Sequence, residues 1–169
     1  SVTGVQTLLF RSIKVYNMAR RVKIGDIFEV ETQKGFIYFQ YVYRRVDKLQ
    51  TINLFNYVSK TKLNLEEIDT SNIKLTVEYP VTIAYNRDAI YFIGNKDFPE
   101  FIYPKYKISR AIITKNAWDI VNTDTLIRER IIKFSDEQLK MSPSGWWNPI
   151  FLIEWIELYG TLENYYNST

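Results

Sequence analysis

The chain contains no histidine and no cysteine among its 169 residues. Without an imidazole, it lacks the one side chain whose unperturbed pKa lies near neutral pH. Without a thiol, it has no thiolate nucleophile, no soft metal ligand and no disulfide framework. These absences exclude the catalytic triads built on histidine or cysteine. They are compatible with a reducing cytoplasm, which is where we expect the protein to act.

Long apolar segments are missing as well. The longest strongly apolar run is Ile150–Ile153, far short of the roughly 18 residues that a membrane-spanning helix needs. No basic segment followed by an apolar core and a small-residue cleavage site occurs, so no secretory signal is visible. The sequence therefore predicts no association with a membrane.

Glycine is scarce, and its six residues are scattered singly, so no Gly-rich loop could cradle a phosphate. Ser144-Gly145 lacks the nucleophile elbow of the serine hydrolases. Paired carboxylates such as Glu154 and Glu157 are typical of helix caps and solvated faces. A carboxylate-based hydrolase, the third alternative for function, would need two of them held across a cleft. We therefore predict no catalytic residue, no metal site and no cofactor.

Aromatic residues are abundant, with 4 Trp, 13 Tyr and 10 Phe, and hydrophobic residues make up 46% of the chain. This composition suits packing and recognition, and it favours a binding protein over an enzyme. The net charge of +3 hides an asymmetry, because residues 1–60 carry +6, residues 61–115 carry +1 and residues 116–169 carry −4. Such a distribution either steers a charged partner or is simply solvated.

The length suffices for one well-buried domain. Met18-Ala19-Arg20-Arg21 reads as a natural start, so we interpret residues 1–17 as an N-terminal extension of uncertain status. Residues 18–169 are predicted to form a single β-rich globular domain.

Period-two patterns dominate from residue 27 onward, which is typical of an antiparallel sheet. Gly35 supplies the first hairpin turn because glycine adopts a positive φ readily. The strand after it, residues 36–46, is apolar on both faces over its first eight residues and is predicted to be central. The predicted strands are 27–31, 36–46, 50–58, 73–79, 89–93, 108–113, 118–121 and 125–132. After Pro80, the alternation in residues 81–85 predicts a strand that resumes beyond a bend.

Helix signals concentrate near the end of the chain. Asn148 as N-cap, Pro149 at the first helical position and Gly160 beyond the last turn bracket a predicted helix over 149–159. Its only polar residues are glutamates, so it either packs widely on the sheet, which we favour, or turns one side to a partner.

Two capping-box spacings, Asn64–Glu67 and Ser135–Gln138, support only short helices. Together with the strand pattern, they predict an α+β, β-rich fold. We expect a bent antiparallel sheet or partial barrel, with the C-terminal helix packed on it.

Candidate partner-binding residues lie along the long strand in the basic first third. Alternation places Tyr41, Tyr43 and Arg45 on one face and Arg44 on the other. With Tyr38, these aromatic and cationic residues suit a small β-barrel that binds single-stranded nucleic acid. Tyrosines packed in a core, with the arginines at the strand end, would produce the same pattern. The acidic final third would repel a long polyanion.

A second candidate lies in the segment SPSGWWNP, residues 142–149. Adjacent tryptophans in a loop framed by Pro and Gly point to different sides, so the pair Trp146 and Trp147 allows two interpretations. Either one caps the core while the other is an exposed anchor for a partner, or both are buried under the helix.

Residues 22–43 carry the run Val22-Lys23-Ile24-Gly25-Asp26-Ile27-Phe28, the Gly35 turn and the aromatic strand through Tyr38. This stretch resembles the opening of the bacterial immunity protein 26 family, which is associated with polymorphic toxin and contact-dependent inhibition systems. The resemblance implies a non-enzymatic cytoplasmic protein that binds and neutralises a cognate toxin, with the toxin's C-terminal domain as partner. It assigns no role to any residue. Single-stranded nucleic acid is the alternative partner, and the oligomeric state stays open.

Overall fold

The computed structural model describes residues 20–168, so the predicted extension, residues 1–17, lies outside the described residues. Eight strands in this range form two antiparallel sheets. The strands are β1 Asp26–Thr32, β2 Gly35–Arg44, β3 Gln50–Phe55, β4 Ile73–Glu78, β5 Tyr91–Asn95, β6 Tyr106–Arg110, β7 Trp118–Asn122 and β8 Arg128–Ile131. The helices are α1 Val81–Asn86, α2 Pro149–Leu158 and α3 Leu162–Tyr166, with 3-10 turns at Leu65–Glu67 and Gln138–Lys140.

The larger sheet has the strand order β4-β3-β2-β1-β5, so β2 lies at its centre as predicted. Gly35 adopts a φ of +131° in the β1–β2 turn, a region that is open to glycine and closed to most other residues. Both faces of the sheet are covered. The larger apolar cluster includes Phe28, Phe39 and Trp155, and the smaller one comprises Ile27, Tyr38, Phe55 and Ile68. The predicted β-rich α+β fold is confirmed, and the sheet is open rather than closed into a barrel.

The prediction of a resumed strand over residues 81–85 is wrong, because these residues belong to α1. Val81 and Ala84 are both buried, whereas Ile83 between them is half exposed. A spacing of three residues between buried positions is that of a helical turn. Pro80 ends the extended chain, and the apolar alternation after it belongs to a short helix of six residues.

A β-bulge interrupts the pairing of β2 with β3. Tyr41 is opposite Ile52 and Tyr43 is opposite Thr51, which leaves Val42 as the additional residue. A bulge places two residues against one on the partner strand and so reverses the alternation beyond it. The prediction that Tyr41 and Tyr43 share a face is therefore wrong.

Residues 142–147, which we call the linking segment, connect the two sheets. The Thr76 amide of β4 donates to Ser142 Oγ at 2.8 Å. The Ile108 amide of β6 donates to the Ser142 carbonyl at 3.0 Å. At the other end of the segment, the Trp147 amide donates to the carbonyl of Glu78 at 2.9 Å. The linking segment thus fixes the edge strand of the larger sheet relative to that of the smaller one.

The smaller sheet has the order β6-β7-β8. Its outer strand β8 is short and carries the exposed residues Arg128, Glu129 and Arg130. Both arginines approach Asp119 on the neighbouring strand, with Arg130 Nε 2.6 Å from Asp119 Oδ1. The free edge of this sheet is therefore strongly charged.

Helix α2 begins and ends close to the predicted residues. The Phe151 amide donates to Asn148 Oδ1 at 2.9 Å, and Gly160 follows the helix with a φ of +68°. Leu152, Trp155 and Ile156 are buried against the larger sheet, which confirms the packing we favoured. Ile150 and Leu158 remain exposed. At ten residues, α2 is the longest helix in residues 20–168, and none there has the length and apolarity that crossing a membrane requires.

We predict that Gly35→Ala lowers the free energy of unfolding more than Gly145→Ala does. Both glycines have a positive φ, of +131° and +125°, so alanine is strained at either position. At Gly35 a Cβ would also overlap the Ser59 carbonyl oxygen, whereas at Gly145 no atom lies within 4 Å of it. Urea denaturation should show a loss of about 1–3 kcal/mol for Gly145→Ala and a clearly larger loss for Gly35→Ala. Equal losses of unfolding free energy in the two variants would contradict the prediction that a Cβ at Gly35 collides with Ser59.

Candidate functional site

A buried ion pair lies where the two sheets meet. Lys107 Nζ on β6 lies 3.0 and 3.1 Å from the two carboxylate oxygens of Glu78, at the end of β4. The Lys107 side chain is 1% exposed and the Glu78 side chain 6%. Two charges so far from water are tolerated because each satisfies the other.

Tyr103 and Arg45 complete the polar cluster around this pair. The Tyr103 hydroxyl donates to Glu78 Oε1 and accepts from Arg45 Nη1 at 3.1 Å. Burial, together with the hydrogen bond to the Glu78 carboxylate, raises the pKa of Tyr103 to about 12. The phenol is therefore protonated at neutral pH and acts as a donor. Burial lowers the pKa of Lys107, and Glu78 opposes that effect.

Two adjoining cavities open above the cluster. One, of about 220 Å³, has Glu78 and Lys107 in its wall, with Trp146 and Leu126 at its side. The other, of about 520 Å³, adds Tyr43, Asp47 and Asp124. The two cavities share Arg45, Tyr103 and Thr123. We call the area around them the Trp146 surface, which comprises Tyr43, Arg45, Tyr103, Leu126 and Trp146.

Trp146 is the largest exposed side chain of this surface, and 60% of it is accessible. It lies in the linking segment, between a Ser144 amide bonded to the Ile108 carbonyl and a Trp147 amide bonded to the Glu78 carbonyl. The backbone of Trp146 is therefore held by both sheets. A large aromatic group on a fixed support loses little conformational freedom on binding.

The structure brings three of the predicted partner-binding residues together on this surface: Tyr43, Arg45 and Trp146. The bulge at Val42 makes this possible, because it turns Tyr43 away from the face of Tyr41. Tyr43 packs instead against Phe101 and Tyr103, with ring centroids 5.4 and 5.9 Å apart.

Three other predicted residues are buried. Tyr38 is fully inaccessible, and its hydroxyl donates to Glu29 Oε2 at 2.8 Å. Tyr41 and Trp147 are each 3% exposed and belong to the larger apolar cluster. In the folded chain, none of the three presents a ring to a partner. The pair Trp146 and Trp147 thus follows the first of its two readings, with one ring exposed and one in the core.

Arg44, the last of the predicted residues, lies apart from the Trp146 surface. It is exposed and lines a separate groove that includes Arg21 and Lys48. This groove has no lining residue in common with the two cavities beside Trp146.

Sequence reasoning missed Glu78, Lys107, Tyr103 and Leu126. Glu78 ends a cleanly alternating strand, where a polar residue is expected to face water. Lys107 precedes an apolar stretch, and no local pattern indicates its burial. The partner of each is 29 residues away along the chain. The site therefore becomes visible only in the folded structure, where the edges of the two sheets meet.

The arrangement is suited to recognition. Lys107 and Glu78 are closed to solvent, and their polar atoms bond to each other and to Tyr103. The accessible groups are aromatic rings, the Arg45 guanidinium, Leu126 and the carboxylates of Asp47 and Asp124 at the rim of the larger cavity. Within residues 20–168, no group of three or more carboxylates is placed to hold a metal ion.

Comparisons of the chain with protein-family models, curated proteins and solved structures gave no match. The resemblance of residues 22–43 to an immunity protein family therefore stays a prediction.

We predict that Glu78→Leu is more destabilising than Lys107→Met. Removal of one partner of a buried ion pair typically lowers the free energy of unfolding by about 3–5 kcal/mol. Without Lys107, the Glu78 carboxylate still accepts from Tyr103 and lies 3.9 Å from Arg45. Without Glu78, Lys107 has no carboxylate partner among the described residues. Urea denaturation of the two variants gives the comparison, and a larger loss for Lys107→Met would contradict it.

The pH dependence of the free energy of unfolding distinguishes the same two variants in a second way. The pKa of Lys107 is lowered in the folded protein from 10.5, so the unfolded chain binds this proton more readily. Stability linked to Lys107 therefore rises with pH between the lowered pKa and 10.5. Loss of Glu78 lowers the pKa further and extends this window downward. The loss caused by Glu78→Leu should be smaller at about pH 9 than at about pH 7, whereas the loss caused by Lys107→Met should lack this recovery.

The backbone of Leu126 is strained. Its φ is +60°, in the left-handed region, and its side chain is 73% exposed. A bulky residue in this conformation is destabilising by about 1–2 kcal/mol, whereas asparagine tolerates it. Leu126→Asn should therefore raise the free energy of unfolding by about 1 kcal/mol, as measured by urea denaturation. A destabilised variant would show that the side chain contributes more by packing than the backbone loses by strain.

Proposed function

We propose that this protein is a non-enzymatic binding module that recognises another protein through the Trp146 surface. The observation that carries this proposal is Trp146 itself, a largely exposed tryptophan whose backbone is held by both sheets. Residues that dominate protein–protein affinity are enriched in Trp, Tyr and Arg. The Trp146 surface combines all three types, and buried polar groups beneath it hold Tyr103 and Arg45 in position.

The strained backbone of Leu126 also supports a partner-binding site at the Trp146 surface. Residues held in sparsely populated backbone regions cluster at binding sites, where the surrounding structure maintains them. An exposed leucine contributes nothing to the core that would compensate for its conformation. Contact with a partner would give both Leu126 and Trp146 an apolar environment.

The partner that we propose is the C-terminal domain of a bacterial toxin, which the protein neutralises in the cytoplasm as an immunity protein. The resemblance of residues 22–43 to an immunity protein family supports this choice. Neutralisation by occlusion needs a rigid surface and no chemistry of its own. The alternative, binding of single-stranded nucleic acid on a barrel, loses its stacking residues because Tyr38 and Tyr41 are buried.

The test begins with a search for a large toxin gene beside the gene of this protein, followed by co-expression with the C-terminal domain of that toxin. The wild-type protein should restore growth, and Trp146→Ala should fail or need much higher expression. In isothermal titration with an inactivated toxin domain, Trp146→Ala should weaken binding by about thirtyfold, which corresponds to the roughly 2 kcal/mol of a hot-spot residue.

Tyr91→Ala is the matched control for this experiment. Tyr91 is also an exposed aromatic residue, 52% accessible, but it lies on β5 at the opposite edge of the larger sheet from β4. This variant should protect cells and bind as the wild type does. If the toxin kills cells equally with and without the wild-type protein, the immunity function is refuted. If both variants weaken binding alike, the location at Trp146 is refuted.

A further inference from the structure

A basic groove lies on a part of the surface that the proposed function does not use. It is about 510 Å³ in volume and is formed by residues 20–22, the end of β2, the β2–β3 turn and α1. Four cationic side chains line it, and no aspartate or glutamate does so among the described residues. These four are Arg20, Arg21, Arg44 and Lys48.

Arg20 forms a fixed wall of the groove. Its guanidinium donates two hydrogen bonds, of 3.0 and 2.9 Å, to the carboxylate of the fully buried Asp26. It also stacks on the Phe92 ring, 3.4 Å from the ring centroid. The charge of Arg20 is therefore compensated, and its geometry is set by the sheet.

The other three cations have no such compensation from the described residues. None of the ion pairs found within residues 20–168 includes Arg21, Arg44 or Lys48. Like charges held close together repel one another, and a cleft lined by one sign of charge concentrates counter-ions. The groove is thus electrostatically prepared for an anion that carries more than one negative charge.

The polar floor of the groove is ordered in advance. Gln50 Nε2 donates to Thr82 Oγ1 at 2.9 Å, and the Thr82 amide donates to Gln50 Oε1 at 2.9 Å. Guanidinium groups present planar, paired donors that match phosphate oxygens, and lysine adds a mobile point charge. Among the described residues, Tyr41 is the one aromatic residue of the lining, and at 3% exposure it offers no ring face on which a base could stack.

We propose that this groove is a binding site for phosphate groups, contacted by Arg21, Arg44 and Lys48 without recognition of bases. Its volume suits a ligand of nucleotide size. The phosphates come either from a phosphodiester chain that passes through the groove or from a small polyphosphate. This site is independent of the Trp146 surface, since the two have no lining residue in common.

The experiment uses the whole 169-residue chain and three probes. Fluorescence anisotropy measures the binding of a labelled oligothymidylate of about ten nucleotides at about 20 mM salt and upward. Unlabelled pyrophosphate and a glutamate peptide of matched charge serve as competitors. The test variant is Arg44→Gln with Lys48→Gln. The control, Lys115→Gln with Lys133→Gln, removes two exposed positive charges elsewhere on the chain.

We expect the oligonucleotide to bind with an affinity that falls as salt rises. The test variant should weaken binding at least about tenfold and reduce the slope of log affinity against log salt by about 1.4, or about 0.7 for each lost phosphate contact. The control should stay within about twofold of the wild type. Displacement by pyrophosphate at a concentration similar to that of the oligonucleotide identifies a small polyphosphate as the ligand, and failure to displace identifies the phosphodiester chain.

Three outcomes would overturn the proposal: no binding of either phosphate probe at low salt, equal weakening in test and control variants, or a glutamate peptide that competes as well as the phosphates. Trp146→Ala should bind the oligonucleotide as the wild type does. Failure of the phosphate site and failure of the toxin interaction are therefore distinguishable.

Discussion

The buried pair of Lys107 and Glu78 is the interaction on which the arrangement of the two sheets depends. Each residue belongs to an edge strand of a different sheet, and each would be strongly unfavourable in the interior alone. Apolar contacts are non-directional, whereas the hydrogen bonds of 3.0 and 3.1 Å between these two charges join specific atoms of the two edge strands. The linking segment joins the same two edge strands a second time, through backbone hydrogen bonds to Ile108 and Glu78. Tyr103 and Arg45 owe their positions to the same pair.

Much of the fold could be predicted from local patterns. Gly35 marked the first hairpin, the two apolar faces of β2 marked the centre of the sheet, and Asn148 with Gly160 marked the ends of α2. These signals are local because a turn, a doubly covered strand and a helix cap each depend on a few neighbouring residues. Residues 81–85 misled because the apolar residues Val81, Ile83 and Tyr85 alternate along the sequence, whereas the helix buries Val81 and Ala84.

The candidate site was predictable only in part. Trp146 stood out because its neighbours Gly145 and Pro149 indicated an extended loop, although nothing local decided which tryptophan was exposed. The orientation of Tyr43 depended on a bulge at Val42 that changes the register by one residue, and the sequence there contains no glycine to indicate it. The burial of Lys107 follows from the meeting of two sheets, which is a non-local event.

The charged outer strand β8 has a consequence for how other chains can approach. An exposed strand normally offers its unpaired amides and carbonyls as a template for a neighbouring strand. In β8, a partner strand would have to lie beside Arg128, Glu129 and Arg130, where the two arginines already contact Asp119. Extension of the smaller sheet into a continuous intermolecular sheet is therefore disfavoured. We therefore expect association at this end of the molecule to use side chains, whose identity can discriminate among partners, more than the backbone, which is the same in every protein.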